Sequence, residues 1–334
     1  MVLCITHSKD YYTIDIVQQS LERAGISTFR LNTDEFAIKY QLQYIFQNDR
    51  QEIILIQNGQ RIDASAISGV WYRKLWKLQV PADLDPAYLD IFIKEYQTYL
   101  QLFFNQLSHL PWMNDMQTDH QVGHDKLMQL SAAQSAGLRV PDTIFTNDPG
   151  PIKELFERCE GNIVVKLHGA LSKSMEGNTP FFPTTKLSPK DMNRLDELTY
   201  CPMIFQEYIP KAYELRIVYV DGNFFTGKIP HEQDNTDWRA VKSGSIAWQE
   251  YQLPADVEDR ITQMMLHLGL TFGAIDMIRQ PDGAYIFLEV NPQGEWGMLQ
   301  KNIGYPIGET IAQKLITRIK HEQEKSINYY AYKR

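Results

Sequence analysis

The chain has 334 residues, of which 43% are apolar and 22% charged, a balance typical of a soluble enzyme that argues against a disordered or fibrous chain. Lys and Arg total 33 against 41 Asp and Glu, and the net charge of −8 argues against binding along a nucleic-acid backbone but suits a basic peptide partner. The sequence has neither an apolar run of about 18 residues nor a signal peptide, so we expect a cytoplasmic protein without membrane contact.

The first third of the sequence predicts an α/β domain over residues 1–115. It opens with a β-α-β unit: strand Val2–Thr6, a helix with apolar residues at helical spacing that ends at Gly25, and a second strand. Asn58-Gly59 between two strand-like runs predicts a β-hairpin turn. A long amphipathic helix over residues 85–107 follows.

The rest of the chain predicts two further domains. Residues 116–200 indicate a small α/β domain that includes a helix at 189–198. Residues 201–334 are rich in strands and indicate an antiparallel sheet covered by helices at 255–268 and 307–320. Three cysteines, too scattered and odd in number for a disulfide framework or a zinc motif, are expected to be buried thiols: Cys4, Cys159 and Cys201.

A predicted hairpin near the C-terminus carries three oxygen-bearing side chains. Residues two apart in a strand face the same side, so Glu289 and Asn291 project together, and the turn at 281–283 can bring Asp276 alongside them. Such a set suits Mg²⁺, which binds a few protein oxygens and completes its shell with water and phosphate. The alternative is the solvated polar end of a hairpin.

Basic side chains elsewhere suit a phosphorylated group. Glu214 and Arg216 share one strand face, either as a surface ion pair or as part of a phosphoryl site. Arg239 lies in a later loop with further cationic residues. Lys166 ends an apolar strand, a position from which lysine often extends to solvent.

The order of these motifs resembles the ATP-grasp superfamily over roughly residues 115 to 315. The motifs are Asp125-Lys126, Ala136 to Thr143, Val164-Val165-Lys166, Gln206 to Ile209, Glu214-Leu215-Arg216, Asp276 and Glu289 to Pro292. Further segments resemble the microviridin (graspetide) ligases, which crosslink a ribosomal precursor peptide: Trp71-Tyr72-Arg73, Cys201 to Met203, Ile209 to Ala212 and Asp237-Trp238-Arg239. The resemblance implies an ATP-grasp fold with an N-terminal β-α-β (pre-ATP-grasp) domain, a central small α/β domain and a C-terminal antiparallel-sheet domain.

The resemblance also implies a role for each candidate residue. Lys126 and Lys166 would contact the phosphates of ATP. Backbone groups of Glu207, Tyr208 and Ile209 would bind adenine, and Glu214 would bind ribose. Two Mg²⁺ ions would be held by Asp276, Glu289 and Asn291, while Arg216 and Arg239 would stabilise the phosphoryl group and an acyl phosphate. The segment expected to cover the phosphates, 168–174, is poor in glycine, which is a departure from the family pattern.

The implied activity is ATP-dependent macrocyclisation of a leader-bearing precursor peptide. A side-chain carboxyl of Asp or Glu would be phosphorylated and then attacked by Lys, giving an amide; the alternatives are an ester to Ser or Thr, or a carboxylate–amine ligase for a small molecule or protein tail. The leader would dock on the helix at 189–198, where Asp191 would pair with a leader arginine and Asn193 would assist. An Asp at that position is also favoured by the helix dipole alone. We further expect a loop at 168–182 that folds over the peptide, and a homodimer.

Overall fold

The computed structural model describes residues 1–168, 183–230 and 247–332. Up to residue 124 its elements are, in chain order, β1 (Val2–Thr6), α1 (Thr13–Arg23), β2 (Thr28–Asn32), α2 (Phe36–Lys39), β3 (Tyr40–Phe46), β4 (Gln51–Gln57), β5 (Gln60–Asp63), β6 (Gly69–Tyr72), α3 (Leu89–Gln106), β7 (Trp112–Met113) and α4 (Met116–His124). They are followed by α5 (Lys126–Ser135), β8 (Thr143–Thr146), α6 (Pro149–Arg158), β9 (Ile163–Lys166), β10 (Thr185–Lys186), a 3₁₀ helix (Asp191–Tyr200), β11 (Met203–Glu207), β12 (Tyr213–Val220), β13 (Asn223–Pro230), β14 (Gln249–Tyr251), α7 (Ala255–His267), β15 (Phe272–Arg279), β16 (Tyr285–Asn291), α8 (Gly297–Ile303) and α9 (Ile307–Tyr332).

The chain divides into two compact units. One comprises Met1–Gln117 together with Pro306–Arg334, and the other comprises Thr118–Tyr305. The division into three domains at residues 115 and 200 stays a prediction. Among the described residues, no helix combines the length and the apolar character needed to cross a bilayer.

The centre of the first unit is a parallel sheet in the order β2-β1-β6-β7. β1 is buried along its whole length, which explains why its sequence is nearly continuous in apolar residues. A separate antiparallel sheet contains β3, β4 and β5. Between β4 and β5, Asn58 and Gly59 have φ angles of 50° and 79°, so the predicted hairpin turn is confirmed.

The second unit contains two antiparallel sheets, ordered β10-β9-β11-β8 and β14-β13-β12-β15-β16. One face of the five-stranded sheet forms a hydrophobic core with α5 and α7, in which Ile217, Ile275 and Ile261 are fully buried. Because successive residues of a strand point to opposite faces, Glu214 and Arg216 of β12 lie on the face turned away from this core. That second face carries the polar residues of the site.

The prediction that a helix at 307–320 covers the C-terminal sheet is wrong. α9 packs against α1, β6 and β7 of the first unit. Ile311, Leu315 and Ile319 on α9 are buried as their helical spacing indicates. An apolar stripe predicts that a helix face is buried, but it does not predict which surface covers that face.

Two local predictions also need correction. Cys4 is buried as expected, but Cys159 is half-buried and Cys201 is exposed, because Cys201 lies in the connection that enters β11. The helix expected at 189–198 is a 3₁₀ helix shifted to 191–200. This segment contains several residues of low helix propensity, and they are compatible with the tighter 3₁₀ geometry.

Candidate functional site

A cleft in the second unit lies between its two antiparallel sheets. Residues from the ends of β9 and β11 form one side, and residues of β12, β15 and β16 form the other. Seven of the predicted site residues line this cleft: Lys166, Glu207, Tyr208, Ile209, Glu214, Asp276 and Glu289. Residues that are far apart in the chain therefore meet here.

The predicted metal ligands lie side by side on the paired strands β15 and β16. Asp276 is directly opposite Glu289, and Asn291 is opposite Ala274. The Nδ2 of Asn291 donates a hydrogen bond to Oε1 of Glu289 over 3.2 Å. Two carboxylates and an amide thus form one oxygen-rich group.

A β-bulge shapes this part of β16. The pairing passes from Asp276 opposite Glu289 to Met277 opposite Phe287, which leaves Leu288 as the extra residue. As a result Leu288 and Glu289 both line the cleft, while Phe287 is fully buried in the core on the other face. Residues two apart in a regular strand share a face, but the bulge lets Glu289 face the cleft while Phe287 faces the core.

Both carboxylates have a cationic partner. Arg216, only 5% exposed, donates from Nη1 to the two carboxylate oxygens of Asp276 over 2.9 and 3.0 Å, and from Nη2 to the carbonyl of Glu295 over 3.0 Å. The Nζ of Lys126 donates to Oε2 of Glu289 over 2.8 Å. The site therefore combines negative groups suited to a metal with positive groups suited to phosphate.

Two polar residues that we did not predict hold the predicted ones in place. Gln206, 4% exposed, accepts a hydrogen bond from Lys166 Nζ over 3.0 Å and donates to Thr143 over 2.8 Å. Lys211 donates to Oε1 of Glu214 over 2.6 Å, and its side chain is only 3% exposed. The sequence signal for Lys211 is its place in the Ile209 to Ala212 segment of the family resemblance, two residues after the hinge segment (Glu207 to Ile209). Lysine is otherwise expected at the surface.

The backbone of the hinge segment is partly occupied. The N–H groups of Glu207 and Tyr208 donate to the carbonyls of Asp142 and Asn162. The N–H of Ile209 makes no hydrogen bond within the described residues. One backbone donor at the cleft is therefore available to a ligand.

The residues predicted to bind a leader peptide lie on the 3₁₀ helix. Oδ2 of Asp191 accepts hydrogen bonds from the backbone N–H and the hydroxyl of Ser188, at 2.8 and 2.7 Å. The hydrogen bond from the Ser188 hydroxyl, and to a smaller extent that from its backbone N–H, lowers the pKa of Asp191 below its usual value. Asn193 is exposed. Asp191 thus has a local role in holding the turn that leads into the 3₁₀ helix, and its leader role stays a prediction.

Some predicted residues lie outside the described residues. They are Arg239 with its neighbours Asp237 and Trp238, and nearly all of the loop at 168–182. The roles assigned to them stay predictions.

Comparisons with known proteins cover nearly the whole chain. Residues 1–120 match the MvdD pre-ATP-grasp domain, and residues 123–319 match the RimK-like ATP-grasp domain. No curated protein matches the sequence.

Solved structures match nearly the full length of the chain. Macrocyclase MdnB from Microcystis aeruginosa MRC is 38% identical, with a TM-score of 0.81, covering 94% of this chain and 98% of MdnB. Macrocyclase MdnC from the same organism, solved with precursor peptide MdnA, is 31% identical, with a TM-score of 0.83, covering 95% of this chain and 99% of MdnC. A RiPP-associated ATP-grasp ligase from Chryseobacterium gregarium, solved with ADP and a leader and core peptide, is 28% identical, with a TM-score of 0.87. The match covers 95% of this chain and 96% of that ligase. The chain therefore belongs to the ATP-grasp ligases, in the graspetide group that contains the microviridin macrocyclases, and it is an ATP-dependent ligase.

Proposed function

We propose that the protein is a leader-dependent peptide macrocyclase. It uses ATP to phosphorylate an Asp or Glu side chain of a ribosomal precursor peptide and joins that carboxyl to a Lys of the same peptide as an ω-amide. The cleft carries this proposal, because two carboxylates and the hinge segment line it and each carboxylate is held by a cationic side chain. The similarity to MdnC, which was solved with its precursor peptide, supports a peptide substrate.

The residues present fit Mg²⁺ and ATP. The carboxylates of Asp276 and Glu289 and the amide of Asn291 are the hard oxygen donors that Mg²⁺ prefers, and water and phosphate complete its shell. When bound, ATP supplies the phosphoryl group and Mg²⁺ neutralises its charge. We assign these three side chains to the metal.

The remaining cleft residues have roles in nucleotide binding. We assign Lys126 and Lys166 to the phosphates, since Gln206 already orients the ammonium of Lys166 towards a fixed position. The free N–H of Ile209, with backbone groups of Glu207 and Tyr208, is assigned to adenine. Glu214, oriented by Lys211, accepts hydrogen bonds from the ribose hydroxyls.

Arg216 is assigned to the reacting phosphoryl group. Its guanidinium is held on one side by Asp276 and on the other by the carbonyl of Glu295, so it is oriented before the substrate binds. Its Nε makes no hydrogen bond within the described residues and is buried. A fixed cation in a poorly solvated site stabilises charge that develops on oxygen, and Arg239 is proposed as a second such cation.

Peptide recognition is assigned outside the cleft. We propose that Asp191, with Asn193, binds the leader peptide and that the loop at 168–182 closes over the substrate. We also propose that the protein is a cytoplasmic homodimer, on the general resemblance to the family.

Mass spectrometry of a microviridin-type precursor tests the activity. The peptide, with leader and with acidic, Lys and Ser or Thr residues in its core, is incubated with ATP, Mg²⁺ and either the wild type or Arg216→Ala. We expect the wild type to remove one water per crosslink, in a bond that resists mild base. We expect Arg216→Ala to lose at least about a hundredfold in rate, as for other removed charge-stabilising donors.

Three other outcomes would change the assignment. A base-labile product would move the protein to the ester-forming branch. ADP release that depends on free amino acids, without a change in peptide mass, would favour the small-molecule ligase. Equal crosslinking by Arg216→Ala would remove Arg216 from the reaction.

A further inference from the structure

The two carboxylates assigned to the metal are each bound by a side chain of the protein itself. Arg216 holds Asp276 through two contacts, and Lys126 holds Glu289 through one. The side chains of Lys126 and Glu289 are 16% and 14% exposed, so water screens this ion pair only weakly. The two pairs differ in kind: Arg216 is buried and held at two points, whereas Lys126 has a single flexible ammonium.

The position of Lys126 is built into the fold. It is the first residue of α5, where the helix dipole favours acidic side chains over basic ones, so its charge is not explained by the helix. One turn later, the fully buried Gln129 accepts a hydrogen bond from the backbone N–H of Val290 over 3.0 Å and donates to the carbonyl of Val122 over 2.7 Å. Gln129 thereby fixes α5 to β16 next to Glu289, and it places Lys126 within reach of that carboxylate.

The contact between Lys126 and Glu289 conflicts with metal binding. An ammonium 2.8 Å from Oε2 occupies a position that a cation would take, and the two positive charges repel each other at such a distance in a partly buried site. Phosphate oxygens remove this conflict, because they offer the ammonium a new acceptor at the moment when the metal takes the carboxylate.

We propose that Lys126 is a placeholder cation that holds Glu289 until Mg²⁺ and ATP arrive together. This inference rests on the proposed nucleotide site. Lys126 moves from carboxylate to phosphate as the metal moves onto Glu289, so free metal binds weakly and metal and nucleotide bind cooperatively. Lys126 thus couples the two ligands in addition to contacting one of them.

Calorimetric titration with Mn²⁺ in the absence of nucleotide tests the placeholder role. The full chain is compared with Lys126→Met and with the control Lys153→Met, in which an exposed lysine of α6 is lost and the net charge changes equally. We expect Lys126→Met to bind Mn²⁺ about tenfold more tightly than the wild type, within the usual range of coupling between sites, and Lys153→Met to match the wild type. Adding Glu289→Gln to Lys126→Met should abolish the gain.

Unchanged or weaker Mn²⁺ binding by Lys126→Met overturns the proposal, and so does a gain that survives Glu289→Gln. If Lys126→Met does not fold, Lys126→Gln makes the same comparison with a polar neutral side chain. A titration of the wild type with β,γ-imido-ATP and Mg²⁺ tests the nucleotide site separately from the placeholder role of Lys126. If the analogue does not bind, the proposed nucleotide site itself is wrong. If the analogue binds but Lys126→Met has the same Mn²⁺ affinity as the wild type, only the placeholder role is wrong.

Discussion

At the scale of single residues, three acidic side chains of the cleft are each paired with a basic one. The pairs are Lys211 with Glu214, Arg216 with Asp276 and Lys126 with Glu289. Each pair fixes the direction of a carboxylate that a flexible side chain would otherwise leave undefined, and removing one partner leaves a poorly solvated charge. The cleft is therefore arranged for a charged ligand before that ligand binds.

Asp191 allows its local and its proposed functional roles to be separated. Asp191→Asn removes the carboxylate that would pair with a leader arginine, whereas Ser188→Ala removes only the hydroxyl's hydrogen bond and keeps both the carboxylate and its bond from the backbone N–H. We expect Asp191→Asn to weaken leader binding about tenfold and Ser188→Ala to leave it within about twofold, since a charged hydrogen bond contributes about 1.5–3 kcal/mol. Fluorescence anisotropy of a labelled leader peptide measures both.

The same experiment has a defined pH dependence. Because the pKa of Asp191 lies below its usual value of 3.8, the carboxylate stays charged above that pH and loses its charge only as the pH falls further. Leader binding through Asp191 should therefore not weaken between pH 7 and about pH 5. Equal losses in Asp191→Asn and Ser188→Ala would show that the residue acts only through the local helix.

At the scale of elements, the site depends on how α5 and β16 are joined. Gln129 is the polar link between them, and the β-bulge at Leu288 turns Glu289 to the cleft while Phe287 stays in the core. Glu289 is thus placed by its own strand, and Lys126 is placed by a helix more than a hundred residues away in sequence. Both elements must keep their relative position for the ion pair to form.

Replacement of Gln129 tests this link. Gln129→Leu preserves an apolar environment but leaves the N–H of Val290 and the carbonyl of Val122 without their partner. We expect the free energy of unfolding to fall by about 2 to 6 kcal/mol, at about 1–3 kcal/mol for each of the two unpaired groups. Urea denaturation provides the measurement, and Gln134→Leu at an exposed position of the same helix is the matched control. Similar changes in both variants would mean that the buried amide contributes nothing specific.

At the largest scale, the C-terminal segment of the chain belongs to the same compact unit as the N-terminal segment. α9 follows the second unit in sequence but belongs to the first unit, which contains the N-terminal sheet, and it packs against α1. The stability of the first unit therefore depends on the last segment of the chain.

A cavity-forming variant tests this dependence. Leu315 of α9 is fully buried, so Leu315→Ala should lower the free energy of unfolding by about 2–5 kcal/mol, through lost burial and a residual cavity. Hydrogen exchange followed by mass spectrometry should show faster exchange in β1 and α1, with β12 and β15 unchanged. The control, Leu266→Ala, removes the same atoms at a position that is 64% exposed. It should change neither the free energy of unfolding nor the exchange rates of these elements. Faster exchange in β12 and β15 alone would contradict the assignment of α9 to the first unit.

Local spacing along the chain was enough to predict several features of the fold and the site. The turn at Asn58-Gly59 follows from the positive φ angles that these two residues tolerate. The two-residue period of a strand places Glu289 with Asn291, and Glu214 with Arg216, on one face. The ordered motifs were also sufficient to identify the ATP-grasp family.

Contacts between residues that are distant in sequence could not be predicted and are seen only in the folded chain. Nothing within a few residues of Lys126 indicates that Glu289 is its partner, that Gln206 orients Lys166, or that Lys211 is buried against Glu214. The destination of α9 was mispredicted for the same reason, since an apolar face can be buried by any complementary surface. Local periodicity determines which side of an element is buried or polar, whereas packing across the whole chain determines what that side touches.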